Sequence, residues 1–113
     1  MAAEQGDPYG QRNLGWAYGS GLGTEQDPEK AVKWYRKAAK QGNAKALEDL
    51  GEAYYYGEGV EKNIIKAYAY YALAYSYGES HAEIRMYLIE EKMTPSQVKE
   101  ALTLSLNILA DDL

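Results

Sequence analysis

Few side chains in this sequence could carry a reaction. His81 is the sole histidine and cysteine is absent, so a Ser-His-Asp arrangement would have to pass through His81. Neither Ser80 nor Ser20 lies in a nucleophile motif, and His81 reads as a surface or helix-capping residue. Glu90 and Glu91 are adjacent, which on a helix aims them about 100° apart, a poor geometry for paired acid–base work. One histidine among scattered carboxylates gives no metal-ligand spacing. The glycine cluster GSGLG at 19–23 could suggest a phosphate cradle, but such a loop follows a strand, and none is expected here. The expectation is no catalysis, no cofactor and no metal; a hydrolase built on His81 is the weakest of the readings weighed.

The whole chain narrows the choice further. Its 113 residues make one domain, 1–113. A net charge of -5 argues against nucleic acid or an anionic membrane as partner, since both want a basic face. No apolar run approaches the roughly 18 residues of a membrane span. The opening MAAEQGDPYGQ lacks the basic start and apolar stretch of a secretion signal. The expectation is a soluble protein, cytoplasmic as given or exported if a signal peptide has been removed. Twelve tyrosines and no phenylalanine put aromatic packing on a residue whose hydroxyl needs water or a partner. Eleven glycines against three prolines are too many for helices unless most of them lie between helices.

An internal repeat accounts for those glycines. Residues 7–42 set above 43–78 share Leu14/Leu50, Gly15/Gly51, Ala17/Ala53, Tyr18/Tyr54, Gly21/Gly57, Gly23/Gly59, Glu25/Glu61, Lys30/Lys66, Ala31/Ala67, Tyr35/Tyr71, Ala38/Ala74 and Gly42/Gly78. Such a period marks a stacked-repeat architecture. Each unit reads as two antiparallel helices. The first begins at Asp7-Pro8, a cap acceptor followed by proline at the first helical position, and stops at the glycine cluster, glycine being suited to the left-handed C-cap. The second begins at Asp27-Pro28, with Asn63 as its counterpart, and ends at Gly42 or Gly78. Glycine within a helix costs about 0.5–1 kcal/mol against alanine, so its recurrence at 15 and 51 suggests that the helices of a pair approach closely there. Leu14, Tyr18, Trp34 and Tyr35 are expected to fill the space between pairs.

The flanks continue the pattern. AAEQG at 2–6 matches the helix tail AAKQG at 38–42. ESHAEIRMYLIEEKM resembles a weakened first helix, but with Tyr87 where glycine stood, so a third pair must pack differently. Thr94-Pro95-Ser96-Gln97 is a capping box launching a last helix through about Ala110. The fold expected is an all-α superhelix, a solenoid of antiparallel helix pairs with about six helices. Its repeat units are 7–42 and 43–78, followed by a degenerate third pair and C-terminal capping helix over 79–113.

LGWAYGSGLG with DPEKAVKWYRKAAKQG, and LGEAYYYGEGVEKNIIKAYAYYALAYSYG, resemble the Sel-one-like repeat (SLR) family, a relative of the tetratricopeptide repeat. The resemblance covers about residues 2–93. Tyr70 replaces the usual Trp, Gly10 a common Ala, and Asn63 an Asp, so the second unit is expected to pack with tyrosines. The resemblance implies an adaptor or scaffold that grips a protein or peptide partner without catalysis.

In such solenoids the first helix of each pair lines a concave groove. Taking 100° per residue, Gln11, Leu14, Gly15 and Tyr18 share the core side, and Tyr9, Arg12, Asn13, Trp16 and Ser20 fall opposite. The second unit places Lys45, Glu48, Asp49, Glu52 and Tyr56 there, with Tyr55 beside them, and the third His81, Arg85 and Leu88. Trp16 corresponds to Glu52, so packing does not require an apolar group at that position. Flanked by Tyr and Arg, Trp16 has the composition of an interface anchor, against the plainer reading that it covers an incomplete edge. Glu48, Asp49 and Glu52 would give the groove a negative field and its partner a basic segment, against the plainer reading of a solvated acidic face. A dedicated inhibitor or immunity-type protein, plugging one enzyme stoichiometrically, is the alternative function. Units of this kind bury their apolar faces only against neighbours, which also suggests weak self-association through exposed solenoid edges.

Overall fold

A computed structural model describes the backbone of residues 6–111 and the side chains of 6–108. Among these residues there are six helices and no strand: α1 Pro8–Ser20, α2 Pro28–Lys40, α3 Ala44–Tyr56, α4 Ile64–Ser76, α5 Ala82–Glu90 and α6 Pro95–Asp111. The helix starts follow from local chemistry. Asp7, Asp27, Asn43 and Asn63 each stand in extended backbone and accept a hydrogen bond from an amide of the first turn, satisfying donors the helix leaves open. At α6, Thr94 and Gln97 bond each other's amides at 2.9 and 3.1 Å. The first helix of each unit ends on a left-handed glycine, Gly21 or Gly57.

The two units repeat in their contacts as well as their outlines. Lys30 lies 5.4 Å from the Tyr18 ring centre, and Lys66 lies at the same distance from the Tyr54 ring. The amide of Asp27 donates to the Tyr18 carbonyl at 2.8 Å and that of Asn63 to the Tyr54 carbonyl at 2.9 Å. Tyr35 corrects one expectation: its ring packs within its own pair, against Gly15, where a β-carbon would come within 2.8 Å of it. Tyr71 does the same at Gly51. A planar ring needs a bare backbone to lie flat on, and this close approach is what the helical glycines supply.

The core runs through Leu47, Leu50, Ala67, Tyr71, Ala74 and Ala82, with α4 buried along most of its length. Tyr54 and Tyr70 stack in parallel at 5.3 Å, so tyrosine takes the place of the usual Trp at 70. The third pair does pack differently: α5 and α6 both rest on α4 and form no close hairpin of their own. On α6, Ala101, Ser105 and Ile108 are buried while Leu102 and Leu106 remain exposed. The similarity of AAEQG to a helix tail falls, apart from Gly6, outside the described residues.

Candidate functional site

The side-by-side stacking of α1 and α3 over α2 leaves a groove of about 410 Å³. Arg12, Trp16, Gly19 and Ser20 of α1 form one wall and Glu48, Asp49, Glu52 and Ala53 of α3 the other. Pro28, Ala31, Val32 and Tyr35 of α2 lie between them, with Glu58 and Arg85 completing the lining. Four helices therefore contribute. The depressions of about 470 and 520 Å³ beside α6 are lined by α6 alone or by α6 with α4.

Of the residues expected on the concave side, Arg12, Trp16, Ser20, Glu48, Asp49, Glu52 and Arg85 line this groove. Tyr9, Asn13, Lys45, Tyr55, Tyr56, His81 and Leu88 do not. Tyr9 is 71% exposed, and Asn13, Lys45, Tyr56 and Leu88 are exposed as well. Tyr55 accepts a hydrogen bond from Lys92 Nζ at 2.7 Å and meets Tyr56 edge to face. His81 is exposed, and its Nδ1 lies 3.2 Å from Glu79 Oε1. Ser20 turns its hydroxyl back to the Trp16 carbonyl at 2.8 Å, so that donor is already used. A 100° projection cannot say how far along each helix the neighbouring units overlap, so it does not separate these two sets.

Gly19, Pro28, Ala31, Val32, Tyr35, Ala53 and Glu58 line the groove outside the expected set. Glu58 belongs to a loop, outside any helical projection. Tyr35 sits on the second helix of its pair and reaches the groove only because its ring passes over Gly15. The available signal was Gly19, a glycine the repeat does not require, since Tyr55 stands at its counterpart.

The charges are paired in a pattern that follows the repeat. Arg12 Nε donates to Asp49 Oδ2 at 2.7 Å, and Arg85 Nε lies 3.4 Å from Glu48 Oε2. Both pairs link residues 37 apart, one more than the repeat, with the signs exchanged, and Lys92 to Tyr55 spans the same interval. Residues one position out of register thus meet across successive units. Within the expected acidic cluster Asp49 pairs with Arg12 and Glu48 with Arg85, while Glu52, and Glu58 beside it, have no ion-pair partner within 4.0 Å among the described residues.

Burial sets the electrostatics. It raises the Asp49 carboxyl above its ordinary pKa, against the opposing pull of Arg12. It raises Glu52 likewise, against Arg85 and with help from Asp49, Glu58 and Glu48. Tyr35 is shifted upward by burial and by the Asp49, Glu52 and Glu58 charges, against Arg12. Among the described residues no three His, Cys, Asp or Glu side chains are grouped to hold a metal ion, and no helix is long and apolar enough to cross a membrane.

This geometry of units laid side by side can be set against known proteins. The Sel1 repeat model matches residues 8–43 and 44–78. The chain belongs to the Sel1 repeat family. Sel1 repeats are generally protein-interaction modules, a non-catalytic fold. Among solved structures, this Sel1 repeat chain is similar to a protective antigen with an SLR fold present in uropathogenic Escherichia coli strains. The two are 36% identical with a TM-score of 0.91, over 96% of this chain and 24% of that one. It is also similar to a Sel1 repeat protein from Oxalobacter formigenes at 38% identity and a TM-score of 0.72, over 76% of this chain and 65% of that one. The chain therefore spans about a quarter of the first relative's length and just under two thirds of the second's. No curated protein matches it.

Proposed function

We propose that this Sel1 repeat protein holds a segment of a partner protein in the groove between α1 and α3, as an adaptor without catalysis. The observation that carries the reading is Trp16. It is 48% exposed on the groove wall, at a position where the second unit has Glu52 and the fold asks for no apolar group. Exposed tryptophan beside a tyrosine and two arginines is the composition of a binding anchor, and burying it on association releases ordered water over a large apolar face. The groove's lining combines that apolar face with charged side chains already fixed by Arg12–Asp49 and Glu48–Arg85, so little ordering entropy is spent on docking. The uncompensated carboxylates favour a partner segment with basic residues. One exceptionally tight, stoichiometric basic enzyme as the sole partner would turn the same surface into that of an inhibitor.

Selection of peptides from a displayed random library on the wild-type protein tests the reading. Backbone resonances of the isotopically labelled protein are then followed as a selected peptide is added. Shifts concentrated at Trp16, Gly19, Glu52 and Ala53 are expected. Shifts confined to α6, or to residues outside the α1–α3 groove, would refute it.

A further inference from the structure

The groove contains an acceptor-lined recess that the repeat itself does not call for. In the second unit Tyr55 occupies the position where the first has Gly19. Without a side chain there, the wall of α1 is open at that turn, and the Tyr35 hydroxyl comes to lie behind it. It stands 3.6 Å from where a β-carbon on Gly19 would be, and both residues line the groove. Tyr35 is only 9% exposed, and among the described residues its hydroxyl has no hydrogen-bond partner. The ring is buried while the hydroxyl opens onto the groove, free to accept from or donate to a guest.

The charge around that hydroxyl has one sign left over. Arg12 answers Asp49 and Arg85 answers Glu48. Glu52 and Glu58 line the same groove and have no ion-pair partner within 4.0 Å among the described residues. The charges of both act on the Tyr35 hydroxyl. Between the walls, Ala31 and Val32 give an apolar floor, and Trp16 adds an aromatic face.

We propose that the recess bounded by Trp16, Gly19, Tyr35, Glu52 and Glu58 receives one arginine or lysine side chain of the partner segment. This deepens the groove reading and rests on it. The guest's aliphatic stem lies over Ala31 and Val32, as long basic side chains do on apolar ground. Its N–H groups donate to the Glu52 and Glu58 carboxylates and to the Tyr35 hydroxyl oxygen, and its charge meets the indole face. An acidic or phosphorylated guest would add like charge to an already negative recess.

Three blocked tripeptides test it on the intact protein: acetyl-Gly-Arg-Gly-amide, its lysine counterpart, and a citrulline counterpart that keeps the shape of arginine without the charge. Each is titrated to roughly 10 mM, which reaches affinities in the millimolar range, while the Trp16 indole and Gly19 amide resonances are followed. Saturable shifts are expected with arginine or lysine, and the comparison shows which the recess prefers. Binding of the citrulline peptide should be about tenfold weaker, the loss of one charge-assisted hydrogen bond. The double variant Glu52→Gln with Glu58→Gln should lose the charged peptide by a similar factor. Gly19→Leu should fill the recess and abolish the shifts, with its helical content checked by circular dichroism. Equal shifts with citrulline, or none with either charged peptide, would overturn the proposal. The two readings separate cleanly: library-selected peptides that need Trp16 but tolerate replacement of every Arg and Lys sink the recess and leave the groove standing. Peptides indifferent to Trp16 sink the groove.

Discussion

The ring of Tyr35 lies flat on the ground a side chain at residue 15 would need. A β-carbon there would stand 2.8 Å from Cδ1 and Cε1 of the ring and 3.1 Å from the Ala31 carbonyl oxygen. Neither neighbour can yield, because the ring is buried and the carbonyl belongs to α2. Gly15→Ala should therefore destabilise by about 1–3 kcal/mol through overpacking, even though alanine is the better helix former. Gly19 lies one turn further on, and its nearest neighbours, Ala31 Cβ and the Tyr35 hydroxyl, would be at an ordinary 3.5 and 3.6 Å. Gly19→Ala should stabilise by about 0.5–1 kcal/mol. Urea denaturation of the two variants decides. The two changes should be opposite in sign, the loss at Gly15 being the larger, and two changes of the same sign would contradict this packing.

Gly59 and Gly23 hold equivalent positions and left-handed backbone, with φ of +78° and +79°. Their surroundings differ. A β-carbon on Gly59 would fall 2.4 Å from the Pro28 carbonyl oxygen at the start of α2, whereas one on Gly23 would meet nothing within 4 Å. Both alanine variants carry the cost of φ above zero, but Gly59→Ala must also push the second unit away from the first. Its thermal midpoint should fall clearly further than that of Gly23→Ala. Matching midpoints would mean that the unit–unit contact at Pro28 carries no strain.

How much of this was open to inspection in the sequence varies by level. The starts of α1 to α4 were legible because each rests on an Asp or Asn cap, and their ends because a glycine stands at or just past them; α5 has no side-chain cap bond and carries no such signal. On α1 the angle alone picks out Arg12, Trp16 and Ser20, which line the groove, but also Tyr9 and Asn13, which do not, and it passes over Gly19. The meeting of Arg12 with Asp49 was not legible, since the repeat by itself aligns Arg12 with Glu48, and the one-residue slip between units comes from how the hairpins stack. The sequence alone places Tyr35 in the gap between pairs. The glycine opposite it shows that it belongs inside its own pair.

Arg12 and Asp49 form the tighter of the two groove ion pairs, and burial disfavours the Asp49 charge more than Arg12 restores it. Removing Arg12 alone strands that carboxylate. Arg12→Ala should cost about 1–3 kcal/mol, the penalty of a buried polar group left unpaired. Asp49→Asn should cost much less, because the amide oxygen still accepts from Arg12 Nε without the charge. Combining the two in a double-mutant cycle should show strong coupling. If Asp49→Asn proves as damaging as Arg12→Ala, the attraction within the pair outweighs its desolvation and this ordering is wrong.

Glu52 sits in the groove with its pKa raised by burial. A carboxyl with a folded pKa above its unfolded value binds protons more readily when folded, so stability is lost as pH rises through that window. The ionised Glu52 is accordingly a cost at neutral pH that is absent in acid. Glu52→Gln should raise the thermal midpoint at pH 7, and the difference should close as the pH is lowered below about 4, where both states are protonated. A variant less stable than wild type at pH 7 would show that Glu52 has a favourable partner. The same titration should weaken capture of a charged tripeptide on acidification, beginning above the ordinary glutamate range.

The central claim is that the partner segment docks between α1 and α3 with Trp16 as its anchor. The most direct measurement is the dissociation constant of one library-selected peptide for wild type, Trp16→Ala and Tyr9→Ala, by calorimetry at fixed salt. Tyr9 is the control: an exposed aromatic on the same helix that does not line the groove. Trp16→Ala should weaken binding about tenfold or more with an unchanged thermal midpoint, and Tyr9→Ala should change it less than about twofold. Equal losses for the two variants, or full affinity without Trp16, would contradict the account.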